Sequence, residues 1–106
     1  MLTVVETEFF NRLVSDYWNE SAREAFAAYL ACNPDAGDVV PRSGGLRKIR
    51  WSRPGMGKRG GVRVIYYNRM AKGQIWLLLI YAKSADDNIP AHVLSKLREA
   101  LEYDED

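Results

Sequence analysis

Eight consecutive apolar residues, Ile75 to Ala82 (IWLLLIYA), constrain the fold more than any other stretch of the chain. The run is far too short to cross a bilayer as a helix, and its composition reads as a strand buried on both faces. Such a strand takes a central place in a sheet. It needs neighbouring strands and helices packed on the sheet, and the remaining sequence offers both.

Leu2 to Val5 is a short β-prone segment. Phe10, Leu13, Val14 and Tyr17 then follow the three-and-four spacing of an amphipathic helix. After a break at Asp16 to Glu20, Ser21 and Glu24 have the spacing of a capping box, which predicts a second helix presenting Ala22, Ala25, Phe26, Tyr29 and Leu30. It should end near Asn33 and Pro34, because proline disfavours helical geometry in the residue before it. Asp35 to Gly45 reads as a connector, and Leu46 to Trp51 as a strand with Lys48 and Arg50 on one face and Arg47, Ile49 and Trp51 on the other. Ser52 to Gly61, with Pro54 and four glycines, predicts a mobile loop. Val62 to Asn68 is a β-branched and aromatic strand with Arg63 at its start, Asn68 to Gln74 is a turn, and Ile75 to Ala82 completes a three-stranded antiparallel meander. Pro90 opens a last helix with Val93, Leu94, Leu97 and Leu101 on its core face. The expected fold class is α+β: a short N-terminal strand, two helices, the meander and a C-terminal helix.

At 106 residues, with 47 % hydrophobic and 27 % charged residues, the chain fits a single globular domain over residues 1–106. Glu6 and Glu8 precede any long apolar segment, unlike a secretory signal, and the lone Cys32 falls in an apolar helical pattern that reads as a small buried side chain. Both readings predict a soluble cytoplasmic protein without a membrane segment.

The net charge of +1 hides a sharp segregation. From Val39 to Ala85 there are eleven Lys and Arg residues and no Asp or Glu, and all fourteen carboxylates lie outside. The cations are Arg42, Arg47, Lys48, Arg50, Arg53, Lys58, Arg59, Arg63, Arg69, Lys72 and Lys83, threaded with Trp51, Tyr66, Tyr67, Trp76 and Tyr81. Cations that hold phosphates beside rings that stack on bases suit RNA. With a single Cys and a single His in the whole chain and no carboxylate in this stretch, there is no metal-ligand cluster, so no metal or other cofactor is expected.

Three segments, AGDVVPRSGGLRKIRW, GKRGGVRVIYY and LLLIYAKSA, together with their order and flanking helices, closely resemble the HigB branch of the RelE/ParE toxin superfamily over nearly the whole chain. The resemblance implies a microbial-RNase-like α+β fold. It further implies the toxin of a type II toxin-antitoxin pair, an mRNA interferase that enters the ribosomal A site, cuts mRNA and inhibits translation. The implied partner is a HigA-like helix-turn-helix antitoxin, which neutralises the toxin and provides its only link to operator DNA. Position by position, Lys48, Ile49 and Arg50 resemble the paired basic residues of the RelE second strand, and Arg63 resembles the arginine that starts its third. Lys83 lies near the basic residue after the last strand. The tyrosine that RelE carries shortly after that residue is not matched in Ser84 to Ile89, which leaves His92 and Tyr103 as the remaining candidates for its place.

Metal-free cleavage of RNA uses its own 2′-hydroxyl against the adjacent phosphate, and the enzyme aligns the attack, stabilises charge and manages two protons. Arg63, permanently protonated and able to grip two phosphoryl oxygens, suits transition-state stabilisation. An arginine is a poor base, so proton work falls to a lysine held among other cations, Lys48 or Lys83. Of the two, Lys83 is assigned phosphate or proton work and Lys48, with Arg50, the orienting of the RNA; Arg47 is expected to bind RNA as well, and the loop cations Arg53, Lys58 and Arg59 to contact ribosomal RNA phosphates or an acidic antitoxin segment. Two alternatives share these residues: a ParE-like inhibitor of DNA gyrase, and a noncatalytic RNA-binding module.

Overall fold

The computed structural model describes residues 2–52, 61–82 and 91–103. The apolar run forms the interior of β5 (Gln74–Ala82), which lies between β1 (Thr3–Glu6) on one side and β4 (Val62–Arg69) on the other. β3 (Arg47–Trp51) follows β4, and the two-residue β2 (Asp38–Val39) completes a five-stranded sheet in the order β1-β5-β4-β3-β2. The meander β3-β4-β5 is antiparallel, as the sequence predicts. β1 adds parallel to β5, which makes the sheet mixed. With α1 (Glu8–Val14), α2 (Glu20–Cys32) and α3 (Ala91–Tyr103), the architecture is α+β.

Helices cover both faces of β5, as an apolar strand without polar alternation requires. Phe10 and Val14 of α1 and Ala22, Phe26 and Leu30 of α2 pack with Ile49, Val64, Tyr66, Ile75 and Leu77 on one face. On the other, Leu94 and Leu101 of α3 pack with Ile65, Trp76, Leu78 and Tyr81. A bulge between Ile65 and Tyr66 decides which β5 residues go where: Ile65 pairs with Leu79 but Tyr66 with Leu77, so Leu78 is the extra residue. Trp76 and Tyr81, five positions apart, therefore share a face that strict alternation would not give them.

Several local readings change. The α2 cap is Asn19, whose side-chain oxygen accepts from the Ala22 N–H at 2.8 Å, rather than the Ser21–Glu24 box. Asn19 stands where the first free amides of the helix point, so the helix starts a residue before Ser21. α1 ends at Val14, short of Tyr17. On α2, Ala25, Tyr29 and Cys32 are exposed, because the helix buries Ala22, Phe26, Leu30 and Ala31 instead. The connector Asp35 to Gly45 contains β2, and the turn after β4 holds a 3₁₀ segment, Met70–Lys72, closed by Gly73 at φ 66°. Among the described residues no helix is long and apolar enough to cross a membrane.

Candidate nucleic-acid interface

Strand register assembles the site. Arg50 of β3 pairs with Arg63 of β4, and Arg63 pairs with Tyr81 of β5. One step along, Lys48 pairs with Ile65 and Ile65 with Leu79. Cross-strand partners project from the same face, so Lys48, Arg50, Arg63 and Tyr81 all lie on the side of the sheet that carries α3.

The row runs from solvent inward. Arg50 is exposed and Lys48 half-buried, whereas Arg63 is 6 % and Tyr81 9 % exposed. Neither Lys48 nor Arg50 has a side-chain hydrogen bond or ion pair among the described residues. Like charges directly opposite on neighbouring strands oppose folding, by roughly 0.2–1 kcal/mol in ordinary sheets. Arg50 opposite Arg63, with Lys48 beside them, gathers three cations on one face of the sheet.

Arg47 takes the opposite face, paired with Tyr66, and its guanidinium is committed to the connector before β2. It donates to the Gly37 carbonyl at 2.7 Å and approaches the Asp35 carboxylate at 3.4 Å. Tyr66, fully buried, donates from its hydroxyl to the Pro34 carbonyl at 2.7 Å and accepts from the Gly37 N–H at 2.9 Å. Burial pushes the Tyr66 phenol above the usual tyrosine range, against the opposing effects of the Gly37 hydrogen bond and the nearby Arg47 charge. Gly37 is needed for this close approach: a Cβ there stands 2.8 Å from the Tyr66 ring and 2.9 Å from the Lys48 carbonyl oxygen. The connector is thereby pinned beside Lys48.

Other cations are engaged elsewhere. Arg98 of α3 stacks over Tyr67 at 4.5 Å and donates to the Gly44 carbonyl at 3.3 Å, which ties the helix to the loop before β3. Arg69 lies over Trp76 at 4.9 Å and is buried. Lys83, Arg53, Lys58 and Arg59 fall outside the described residues. His92 is exposed on the first turn of α3, and Tyr103 lies in its last turn.

Tyr81, read in the sequence only as one of the rings threaded among the cations, is placed by the register directly beside Arg63, which sequence reasoning did not foresee. Its signal was hidden by the β5 bulge, since counting by twos from Ile75 assigns it to the opposite face. No protein-family model matches the chain.

Proposed function

We propose that this chain is a ribosome-dependent mRNA interferase of the HigB type, the toxin of a type II toxin-antitoxin pair. The observation that carries the reading is the directly opposed Arg50–Arg63 pair with Lys48 on the same face. It lies within a stretch that contains no carboxylate. Lys48 and Arg50, without a side-chain partner among the described residues, are available to hold a phosphate. Arg50 and Lys48, facing outward, hold the RNA backbone. Arg63, 6 % exposed at the inner end of the row, acts on the scissile phosphate from a low-dielectric position, where its charge is felt more strongly than a surface charge would be. The 2′-hydroxyl gives up its proton as its oxygen attacks phosphorus, the bond to the 5′-oxygen breaks and that oxygen takes up a proton, so the products carry a 2′,3′-cyclic phosphate and a 5′-hydroxyl. A HigA-like antitoxin, an acidic segment of which neutralises the cations, is the expected partner.

The burial of Arg63 favours a second reading, the noncatalytic RNA-binding module, in which Lys48 and Arg50 do the binding and Arg63 is a sheet residue. The two separate in one comparison. For the interferase, Arg63→Ala removes mRNA cleavage while co-sedimentation with ribosomes changes little. For the binding module, no cleavage occurs with either protein, and Arg50→Ala weakens association in a salt-dependent way.

A further inference from the structure

All fourteen carboxylates lie outside the basic stretch in sequence, yet strand pairing brings one of them back to it. Asp38 of β2, the residue just before that stretch, pairs with Lys48 of β3. Paired residues project from the same face, so Asp38 joins Lys48, Arg50, Arg63 and Tyr81. It is exposed and lines a cleft of about 260 Å3 together with Lys48, Arg50, Trp51 and Tyr29. The Asp38 carboxylate and the Lys48 ammonium, although on paired residues, form neither an ion pair nor a hydrogen bond among the described residues. Backbone on both sides fixes the position of Asp38. The Gly37 N–H donates to the Tyr66 hydroxyl at 2.9 Å and the Gly37 carbonyl accepts from Arg47 at 2.7 Å. Two residues beyond Asp38, the Val40 N–H donates to the Leu46 carbonyl at 2.8 Å. The segment is clamped while the side chain it carries stays uncommitted.

We propose that Asp38 is a catalytic residue of the RNA cleavage, the general base that takes the 2′-hydroxyl proton of the nucleotide whose phosphate lies on Lys48 and Arg50. The inference rests on the interferase reading and supplies the proton acceptor which that reading leaves unnamed. A surface built only to hold phosphate gains nothing from a carboxylate among its cations, because the carboxylate repels the ligand. Proton transfer gives it a use. A carboxylate is ionised at pH 7 and accepts a proton at once, whereas a lysine ammonium must first lose one and an arginine stays charged. Strand geometry sets the spacing: Cβ atoms of directly paired residues stand about 5 Å apart and diagonal ones about 7–8 Å, so Asp38 lies one strand out from Lys48 and diagonal to Arg50. A phosphate held by those two cations leaves the adjoining ribose 2′-oxygen in reach of the carboxylate. The proton passes to an Asp38 oxygen as the 2′-oxygen bonds to phosphorus. The electron pair of the broken bond leaves on the 5′-oxygen, which takes a proton from water.

The test compares the unaltered full chain with Asp38→Asn, which keeps the shape of the side chain and removes its basicity. Rates of appearance of new 5′-hydroxyl mRNA ends are measured in a reconstituted translation reaction, and association is measured by co-sedimentation with ribosomes. Urea unfolding of Asp38→Asn should show an unchanged midpoint, since the side chain is exposed and makes no hydrogen bond or ion pair among the described residues. The expected result is cleavage slowed about a hundredfold, the low end of what a positioned base contributes, with ribosome association unchanged or tighter because a negative charge has gone. The sign separates the proposal from a plain surface charge, whose removal strengthens association and leaves cleavage as fast or faster. Cleavage slowed less than about tenfold overturns the assignment of Asp38 and leaves the interferase reading standing. A loss of cleavage matched by an equal loss of ribosome association also overturns it, since Asp38 then serves docking. Intact mRNA with the unaltered protein overturns both readings at once.

Discussion

Replacing Tyr66 with Phe removes a single oxygen from a fully buried side chain of the sheet. The ring stays and its packing is retained, so the change isolates two hydrogen bonds. The hydroxyl's bond to the Pro34 carbonyl, 2.7 Å, is lost, but that carbonyl keeps the Asn68 side-chain amide at 2.9 Å, which limits the loss to about 1 kcal/mol. The Gly37 N–H, 2.9 Å from the hydroxyl, loses its acceptor in a buried position, which costs about 1–3 kcal/mol. Tyr66→Phe should therefore destabilise the protein by about 2–4 kcal/mol. The assay is urea unfolding followed by tryptophan fluorescence, with a lower midpoint and an unchanged slope. Asn68→Ala, which leaves the Tyr66 hydroxyl in place, should cost clearly less. The sign of the pH dependence follows from the raised phenol. The folded state holds the Tyr66 proton more tightly than the unfolded chain, so this contribution is intact below about pH 10 and is lost as the pH rises toward the folded value. Tyr66→Phe should lack that alkaline loss. A destabilisation below about 0.5 kcal/mol, or an identical alkaline limb in both proteins, refutes the claim that the Pro34–Gly37 connector is pinned through this hydroxyl.

Three further outcomes follow from other parts of the fold. Arg50→Thr should raise stability by about 0.5 kcal/mol at low salt, with the gain shrinking as salt rises, because it relieves the repulsion from Arg63; no gain at low salt contradicts the cost assigned to this pair. Glu6 accepts from the Arg23 guanidinium, with one contact at 2.8 Å, and this bond, aided by Asn11 and opposed by partial burial, holds its carboxyl below the usual range. Its stabilisation is present above the ordinary glutamate pKa and is lost as pH falls through the lower folded value. Glu6→Gln should thus cost about 1 kcal/mol at pH 7 and flatten acid unfolding, as measured by melts across pH 2–7. Gly73 has φ 66°, and nothing lies within 4 Å of where an alanine methyl would stand, so Gly73→Ala should cost about 1–2 kcal/mol from backbone strain alone and Gly73→Asn less, a ranking that chemical denaturation checks.

The elements most visible in the sequence were those with strong local signals. The eight-residue apolar run announced an interior strand, and period-two parity correctly separated Lys48 and Arg50 from Arg47, Ile49 and Trp51. The parallel docking of β1 on β5 was not legible, because four residues pair with a segment some seventy positions away and carry no local mark of that partner. β2 was hidden for a related reason: two residues paired with β3 look like any turn-rich connector. The candidate site was half legible. Composition located the basic stretch, but charge does not say which cations are already spoken for, and Arg47 and Arg98 hold backbone carbonyls while Arg69 covers a tryptophan. The depth of Arg63 and the facing of Tyr81 depend on tertiary packing and on a bulge, neither of which periodicity encodes.

The most direct measurement of the central claim maps mRNA ends after the purified protein is added to a reconstituted translation reaction, beside a reaction without ribosomes and one with Arg63→Ala. The interferase account predicts new 5′-hydroxyl ends within the reading frame, only with ribosomes and only with the unaltered protein. Intact mRNA in all three reactions contradicts it and turns attention to a gyrase-directed or purely binding role.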